Sequence, residues 1–299
     1  MEEIDLKDLF NSFWIKKNLI IAITFSFFIF SIAFALFLPN IYTSQALLAQ
    51  SNQEESFASK LGSYSSLAGI AGISIPGESN GKGQEAIARI KSFDFFKEEF
   101  IPNIKLEDLM AAKRWNMTTN SISYKKRIFD FDSKKWVRRV SYPKDAKPSL
   151  QEAYEEYIKI LEISEDKRTL FITISIDHVS PYVAESWLNL IIKSINNYMR
   201  ELDKTLAKNS IDFLNSTSKE TNLSEIKEAI AKLLESQIQI LMLAEATDYY
   251  VLQPISKPLA PEKKSSPSRL TIVVFSTMIG LIISLLLITI EKYFIRKVT

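Results

Sequence analysis

Twenty consecutive residues from Leu19 to Leu38 carry no charge, and neither do the twenty-one from Leu270 to Ile290. A bilayer core of ~30 Å is crossed by about 20 helical residues, so each run is long enough to span once. Backbone polar groups inside lipid must be satisfied within the segment, which predicts a helix for both runs. A chain with such a run near each end is not an ordinary soluble enzyme. What lies between is balanced: of 37 basic and 35 acidic side chains, 31 and 30 fall within residues 40–269. The mean hydropathy of +0.01 therefore averages two apolar ends and a polar middle. That middle is long enough for a core of its own.

The same balance gives no electrostatic footprint for nucleic acid. Cysteine is absent and His178 is the only histidine. Disulfide frameworks, thiol catalysis and Cys-type zinc are thereby excluded, and neither a metal site nor a cofactor is expected. Gly81-Lys82-Gly83 lacks the spacing of a phosphate-cradling loop.

The flanks set the topology. Lys16 and Lys17 precede the first run, and no basic residue follows it until Lys60. Lys292, Arg296 and Lys297 follow the second run, outweighing Lys263, Lys264 and Arg269 before it. Positive charge stays on the cytoplasmic side, which predicts an in–out–in chain. Residues 1–18 form a cytoplasmic segment, 19–38 the first span, 39–269 an exported domain, 270–290 the second span and 291–299 a cytoplasmic tail. A signal peptide competes for the first run, because Ala33-Phe34-Ala35 has the small-x-small cleavage form. The run continues through Leu36-Phe37-Leu38, which favours an uncleaved anchor. The nine-residue tail leaves no room for a signalling module, so the exported domain is expected to act locally.

Within that domain, Ile41 to Leu48 is rich in strand formers and predicts a strand. Six of the seven glycines fall between residues 62 and 83. Gly62, Gly69 and Gly72 sit in an apolar small-residue stretch, either a surface loop or a segment that packs on a neighbouring subunit or membrane partner. Gln84–Phe100 has amphipathic spacing closed by Pro102, and Leu106–Trp115 reads as another short helix. Residues 124–139 mix seven basic residues with aromatics. Lys125, Arg127, Lys135, Trp136 and Arg138 are candidate contacts for an anionic glycan, although such runs more often mark an exposed hairpin, here turning near Asp130 and Asp132. Leu170–Asp177 alternates as a core strand, and His178 at its end reads as structural.

Ser180 and Pro181 then open a long helix as N-cap and first residue. A three–four apolar spacing runs to about residue 216, giving ~55 Å of helix at 1.5 Å per residue. One apolar stripe of that length wants a partner helix. Asn222-Leu223-Ser224-Glu225 resembles a capping box, and the pattern resumes to about Ala246, so residues 180–246 form a helical hairpin. Trp187, Ile191, Ile195 and Leu202 are its candidate oligomerisation residues. Tyr249–Ile255 reads as a strand returning to the first one. Residues 254–267 hold Pro254, Pro258, Pro261 and Pro267, a stiff extended approach to the second span. The fold class is α+β: two transmembrane helices flank a domain with a small membrane-proximal sheet and a long protruding hairpin.

This order resembles the polysaccharide chain-length determinants, the Wzz-type polysaccharide co-polymerases. The resemblance rests on Ile4-Asp5-Leu6 with Phe13-Trp14, on Pro39-x-x-Tyr42, and on Ser66-Leu67-Ala68-Gly69-Ile70-Ala71-Gly72-Ile73. It continues through Trp136-Val137-Arg138, Ser180-Pro181-Tyr182-Val183-Ala184, Ile195-Asn196-Asn197-Tyr198-Met199-Arg200 and the proline segment. It implies a Gram-negative inner-membrane protein that forms a ring-like homo-oligomer and performs no chemistry. Beside a periplasm-facing O-antigen-type polymerase, it would set the chain length of a lipopolysaccharide glycan, itself a candidate partner. The alternative within the resemblance is an accessory for capsule or exopolysaccharide export working with a separate tyrosine kinase. One departure is Gly280, the single glycine of the second span.

Overall fold

A computed structural model describes residues 12–51 and 79–291. The chain forms two compact units, one from residues 1–41 and 263–299, the other from Tyr42–Glu262. The glycine-bearing stretch with Gly62, Gly69 and Gly72 lies outside the described residues, as does the leader motif Ile4-Asp5-Leu6.

In the first unit, helices Lys17–Phe37 and Arg269–Ile290 each have a mean hydropathy of 2.6 and are long and apolar enough to cross a membrane. They run antiparallel. Lys16 pairs with Glu291 at one end, and Arg269 donates to Asn40 Oδ1 at 3.0 Å at the other. Their buried positions are mostly small: Ser31 and Ala35 on the first, Gly280, Ser284 and Ile288 on the second. A Cβ on Gly280 would stand 2.7 Å from Cβ of Phe27, so only glycine permits this approach. Apolar helices in lipid gain contact through such small positions. Beside the ends of these helices, Ile41 N–H donates to Ser266 O at 2.9 Å and Ser265 N–H to Ile41 O at 2.8 Å, tying the two stretches of chain together.

The second unit is built on a four-stranded antiparallel sheet. Its strands are β1 (Tyr42–Gln50), β6 (Leu161–Glu165), β7 (Ile172–His178) and β8 (Leu252–Ser256), in the order β6-β7-β1-β8. Registers Ser44↔Ile176, Ala46↔Ile174 and Leu48↔Ile172 place one buried row across the two central strands. Pro254 falls on β8, opposite Leu48. An edge strand tolerates the missing donor. Two small hairpins, β2 (Ala112–Asn116) with β3 (Ser121–Tyr124) and β4 (Phe129–Asp130) with β5 (Lys135–Trp136), stand apart from this sheet.

Among the described residues, five α-helices longer than a single short turn accompany the strands: α1 (Ser79–Ile90), α2 (Leu106–Met110), α3 (Leu150–Ile160), α4 (Pro181–Glu220) and α5 (Ser224–Ala246). The first half of α4 lays Ala184, Leu188, Ile191, Ile195 and Met199 into the core with β1 and β7. An aromatic group fills the remainder. Tyr157 has Phe96 at 5.2 Å and Phe100 at 4.7 Å, and Trp187 meets Phe100 edge-on at 5.5 Å. The Tyr157 hydroxyl donates to Ile90 O at 2.9 Å, so its one polar atom is satisfied in the core. The second half of α4 leaves the sheet and pairs with α5 through Leu214, Ile230, Leu233 and Leu234. The hairpin expected from the apolar period is therefore present, with α4 reaching Glu220 and measuring ~60 Å.

Several local expectations are corrected. The helix expected over Gln84–Phe100 starts earlier, at Ser79, and breaks after Ile90. Ser92 is extended and accepts from Phe95 N–H at 3.2 Å, so the serine side chain caps a new turn and the continuous helix ends. A π turn, Phe96–Phe100, and a 3-10 turn, Ile101–Asn103, follow. The helix expected over Leu106–Trp115 ends at Met110, because 112–116 pairs with β3 instead. Tertiary contacts reward that choice: Trp115 packs edge-on against Tyr42 at 5.6 Å and Tyr182 at 5.9 Å. The reciprocal capping box belongs to Ser149 and Glu152 at the start of α3. Helix α5 starts at Ser224, with Leu223 as N-cap and no side-chain cap.

Candidate functional site

The long hairpin carries the four candidate oligomerisation residues. Trp187, Ile191 and Ile195 are buried in the core of their own unit, and Leu202 is half-buried. Burial gives the first three a fold-building role that accounts for their spacing without a second copy. Apart from Tyr182 in its first turn, the large apolar side chains that α4 leaves uncovered lie farther along, with Leu206 at 49% and Phe213 at 53% exposure, and Met242 on α5 is at 64%. Sequence spacing could not separate the two sets, since both fall on helical periods and only the sheet decides which turns are covered.

The basic–aromatic segment divides similarly. Lys125, Arg127 and Lys135 are exposed. Trp136 is half-buried on Phe129, with ring centroids 5.0 Å apart. Arg138 is a strut: its guanidinium forks onto Glu152, with Nη1 2.8 Å from Oε1, and also donates to Ala146 O and Asp145 O at 2.9 Å each. Two charge-assisted bonds in a planar fork fix both partners. The guanidinium and the Ser149 backbone N–H hold the Glu152 carboxyl down to about 2. Arg138 is thus occupied in fastening the β5–α3 connection to the α3 N-terminus.

His178 ends β7 as expected and is buried. Its Nδ1 accepts from Ser180 N–H at 3.0 Å, which leaves Nε2–H to donate to Asp108 O, also at 3.0 Å. Tyr124 OH donates to the Asp108 carboxylate at 2.6 Å, and burial followed by that bond pushes the phenol up. Desolvation holds the His178 imidazole below its ordinary value near 6.5, against the opposing pull of Asp108. The neutral ring joins β7, α2 and the start of α4. The unfolded chain binds this proton more readily, so stability is full above about pH 6.5 and falls as the pH drops below it. The expected slope is up to about 1.4 kcal/mol per pH unit. Thermal unfolding of the full chain in detergent from pH 8 to 5.5 measures it. His178→Asn, whose carboxamide oxygen can replace Nδ1 as acceptor, should flatten the profile; an unchanged profile would assign the slope elsewhere.

A second buried polar node lies near the middle of α4. Asn196 Oδ1 accepts from Val251 N–H at 2.8 Å and Leu252 N–H at 3.0 Å. Its Nδ2 donates to Leu252 O at 3.0 Å and Ile192 O at 2.8 Å. One turn on, Arg200 donates to Thr247 O at 2.7 Å, Asp248 O at 2.8 Å and Asn197 Oδ1 at 3.0 Å. Together they hold the chain as it leaves the hairpin for β8. Both residues stood in the sequence as members of a motif. Their role required seeing which backbone they face.

Of the prolines, Pro258 is buried, while Pro254 and Pro261 are half-buried. Ser44 Oγ donates to Leu259 O at 2.9 Å, so the segment after β8 is fastened to β1. Pro267, half-buried, accepts from Lys264 Nζ at 2.9 Å through its carbonyl. What these residues form is a set of mechanical ties: strand to helix, helix to linker, and one apolar helix to the other.

Residues 2–94 match a family model, Wzz, described as chain length determinant protein. That stretch holds the first apolar helix, β1 and α1. Among solved structures, the chain is similar to a full-length bacterial polysaccharide co-polymerase, at 14% identity, covering 97% of this chain and 99% of that one, with a TM-score of 0.44. It is also similar to a fragment of WzzB, a polysaccharide co-polymerase from Salmonella Typhimurium, at 16% identity, covering 76% of this chain and 100% of that one, with a TM-score of 0.31. No curated protein matches the chain. The family whose model matches residues 2–94 is the one that the sequence motifs resemble.

Proposed function

We propose that this chain is a non-enzymatic regulator of polysaccharide chain length, setting the modal length of an O-antigen or related lipopolysaccharide glycan. It spans the inner membrane twice with both termini in the cytoplasm, and Tyr42–Glu262 works in the periplasm beside the polymerase. Copies associate into a ring-like homo-oligomer. The family match over residues 2–94 carries this reading. Antiparallel apolar helices joined by Lys16–Glu291 and Arg269–Asn40 support two spans that return the chain to one face. Lys16, Lys17 and Lys292 favour the cytoplasm for that face.

Such a protein needs geometry, and the ties described above supply it. Ile41–Ser266 pairing joins the two approaches to the spans, and Ser44–Leu259 fastens the proline segment to β1. Deleting the gene should turn a glycan ladder clustered about one length into a broad, unclustered distribution on a silver-stained gel. Restoring the gene should restore the cluster. A ladder that keeps its cluster after deletion would overturn the proposal.

A further inference from the structure

A cleft of ≈ 400 Å³ opens on the α4 face that carries Asn196, opposite the chain on either side of β8. Asn189, Lys193, Asn197 and Arg200 line it from α4, and Tyr249 and Lys257 line it from the facing segments. Spacings of three and four place such side chains on one helix face. The volume lies within the ~300–1,000 Å³ of ligand pockets. The floor is fixed, because Asn196 holds Val251 and Leu252, and Arg200 holds Thr247 and Asp248.

Its charge is uneven. Lys193, Arg200 and Lys257 face a single acid, Asp248. Among the described residues, neither Lys193 nor Lys257 has an ion-pair partner, and both are exposed. Arg200 keeps one buried donor, Nε, without a partner. Residues 40–269 balance 31 basic against 30 acidic side chains, yet this cleft carries two cations in excess. Beside the apolar Ile192, Pro254 and Pro258 and the backbone-bound Asn196, the carboxamides of Asn189 and Asn197 offer donors and acceptors for hydroxyls, and the Tyr249 ring offers an aromatic face for ring C–H groups.

We infer that this cleft binds an acidic saccharide, a sugar ring bearing a carboxylate or phosphate. The anion would sit between Lys193 and Lys257, with the ring against Asn189, Asn197 and Tyr249. The proposed function is used only to choose a saccharide over other anions; the preference for negative charge comes from the cleft itself.

The test titrates the full chain in detergent with digalacturonate, glucose 6-phosphate, lactose and inorganic phosphate by calorimetry. Saturable binding of either acidic sugar is expected, weakening with salt. The double variant Lys193→Gln/Lys257→Gln should bind about tenfold or more weakly while unfolding at the wild-type temperature. Whichever acidic sugar binds better identifies the anion. Equal binding by the variant, lactose binding as well as the acidic sugars, inorganic phosphate binding as tightly as either, or no saturation by any probe would overturn the inference. A clustered ladder lost on deletion, with no binding here, would remove this inference and leave the proposed function standing.

Discussion

Replacing Ile195 with aspartate is expected to leave the Tyr42–Glu262 unit unfolded. Ile195 is fully buried against the sheet, and a carboxylate there has no partner to offset its desolvation. The cost is about 4 kcal/mol or more, the exceptional range for a single substitution. Whole domains are stable by only ~5–15 kcal/mol. Limited proteolysis and thermal unfolding of the full chain in detergent should show a cleavable, non-cooperative unit. Phe213→Asp makes the informative contrast, since that side chain is 53% exposed on the outer half of α4. It should shift unfolding by no more than about 0.5 kcal/mol, as exposed substitutions do. If the outer hairpin meets another copy, as in the proposed ring, the same variant lowers the oligomer mass. An Ile195→Asp chain that unfolds like wild type would place that turn of α4 at an interface and not in the core.

The next largest effect is expected from Asn196→Leu. The replacement fills a similar volume but leaves Val251 N–H, Leu252 N–H and Leu252 O without the carboxamide that pairs them. Each buried backbone group left unsatisfied costs about 1–3 kcal/mol. With two donors at stake, the expected loss is about 2–6 kcal/mol. Amide exchange reads it locally: the Val251 and Leu252 amides should exchange faster than those of β7. The site is where the hairpin hands the chain back to the sheet edge, so β8 should loosen before β1 and β7 do. Amides at 251 and 252 that stay slow in the variant would mean that another acceptor holds them.

These two residues are neighbours in sequence and show how far a sequence can be read. Ile195 belongs to a three–four apolar period, which is enough to predict a helix and a buried stripe. It is not enough to say what covers the stripe. The expectation of a partner copy followed from the helix outrunning a compact domain, and α4 does outrun it, but only beyond Met199. Asn196 breaks the apolar period and gives no local signal of its value, because the backbone it satisfies lies 55 and 56 residues away. Arg138 shows the same limit for charge. In sequence it belongs to a basic run facing solvent, and in the fold Glu152 and two carbonyls take its donors. Ser149 and Glu152 are the converse case, a capping signal local to three residues, while the box expected at Asn222–Glu225 has no side-chain cap.

By itself the sequence determined the two long apolar helices, the strand that follows the first, the core strand ending at His178 and the long helix with its returning partner. Those features are set by composition and period, which act over one segment at a time. Tertiary structure decided where the 84–100 helix breaks, that 112–116 becomes strand, which turns of α4 are core, and that Lys193 and Lys257 line one cleft with Arg200. Those outcomes depend on pairings between segments far apart in the chain. A hydrogen bond or a buried face is worth taking only when the distant partner has already been brought beside it.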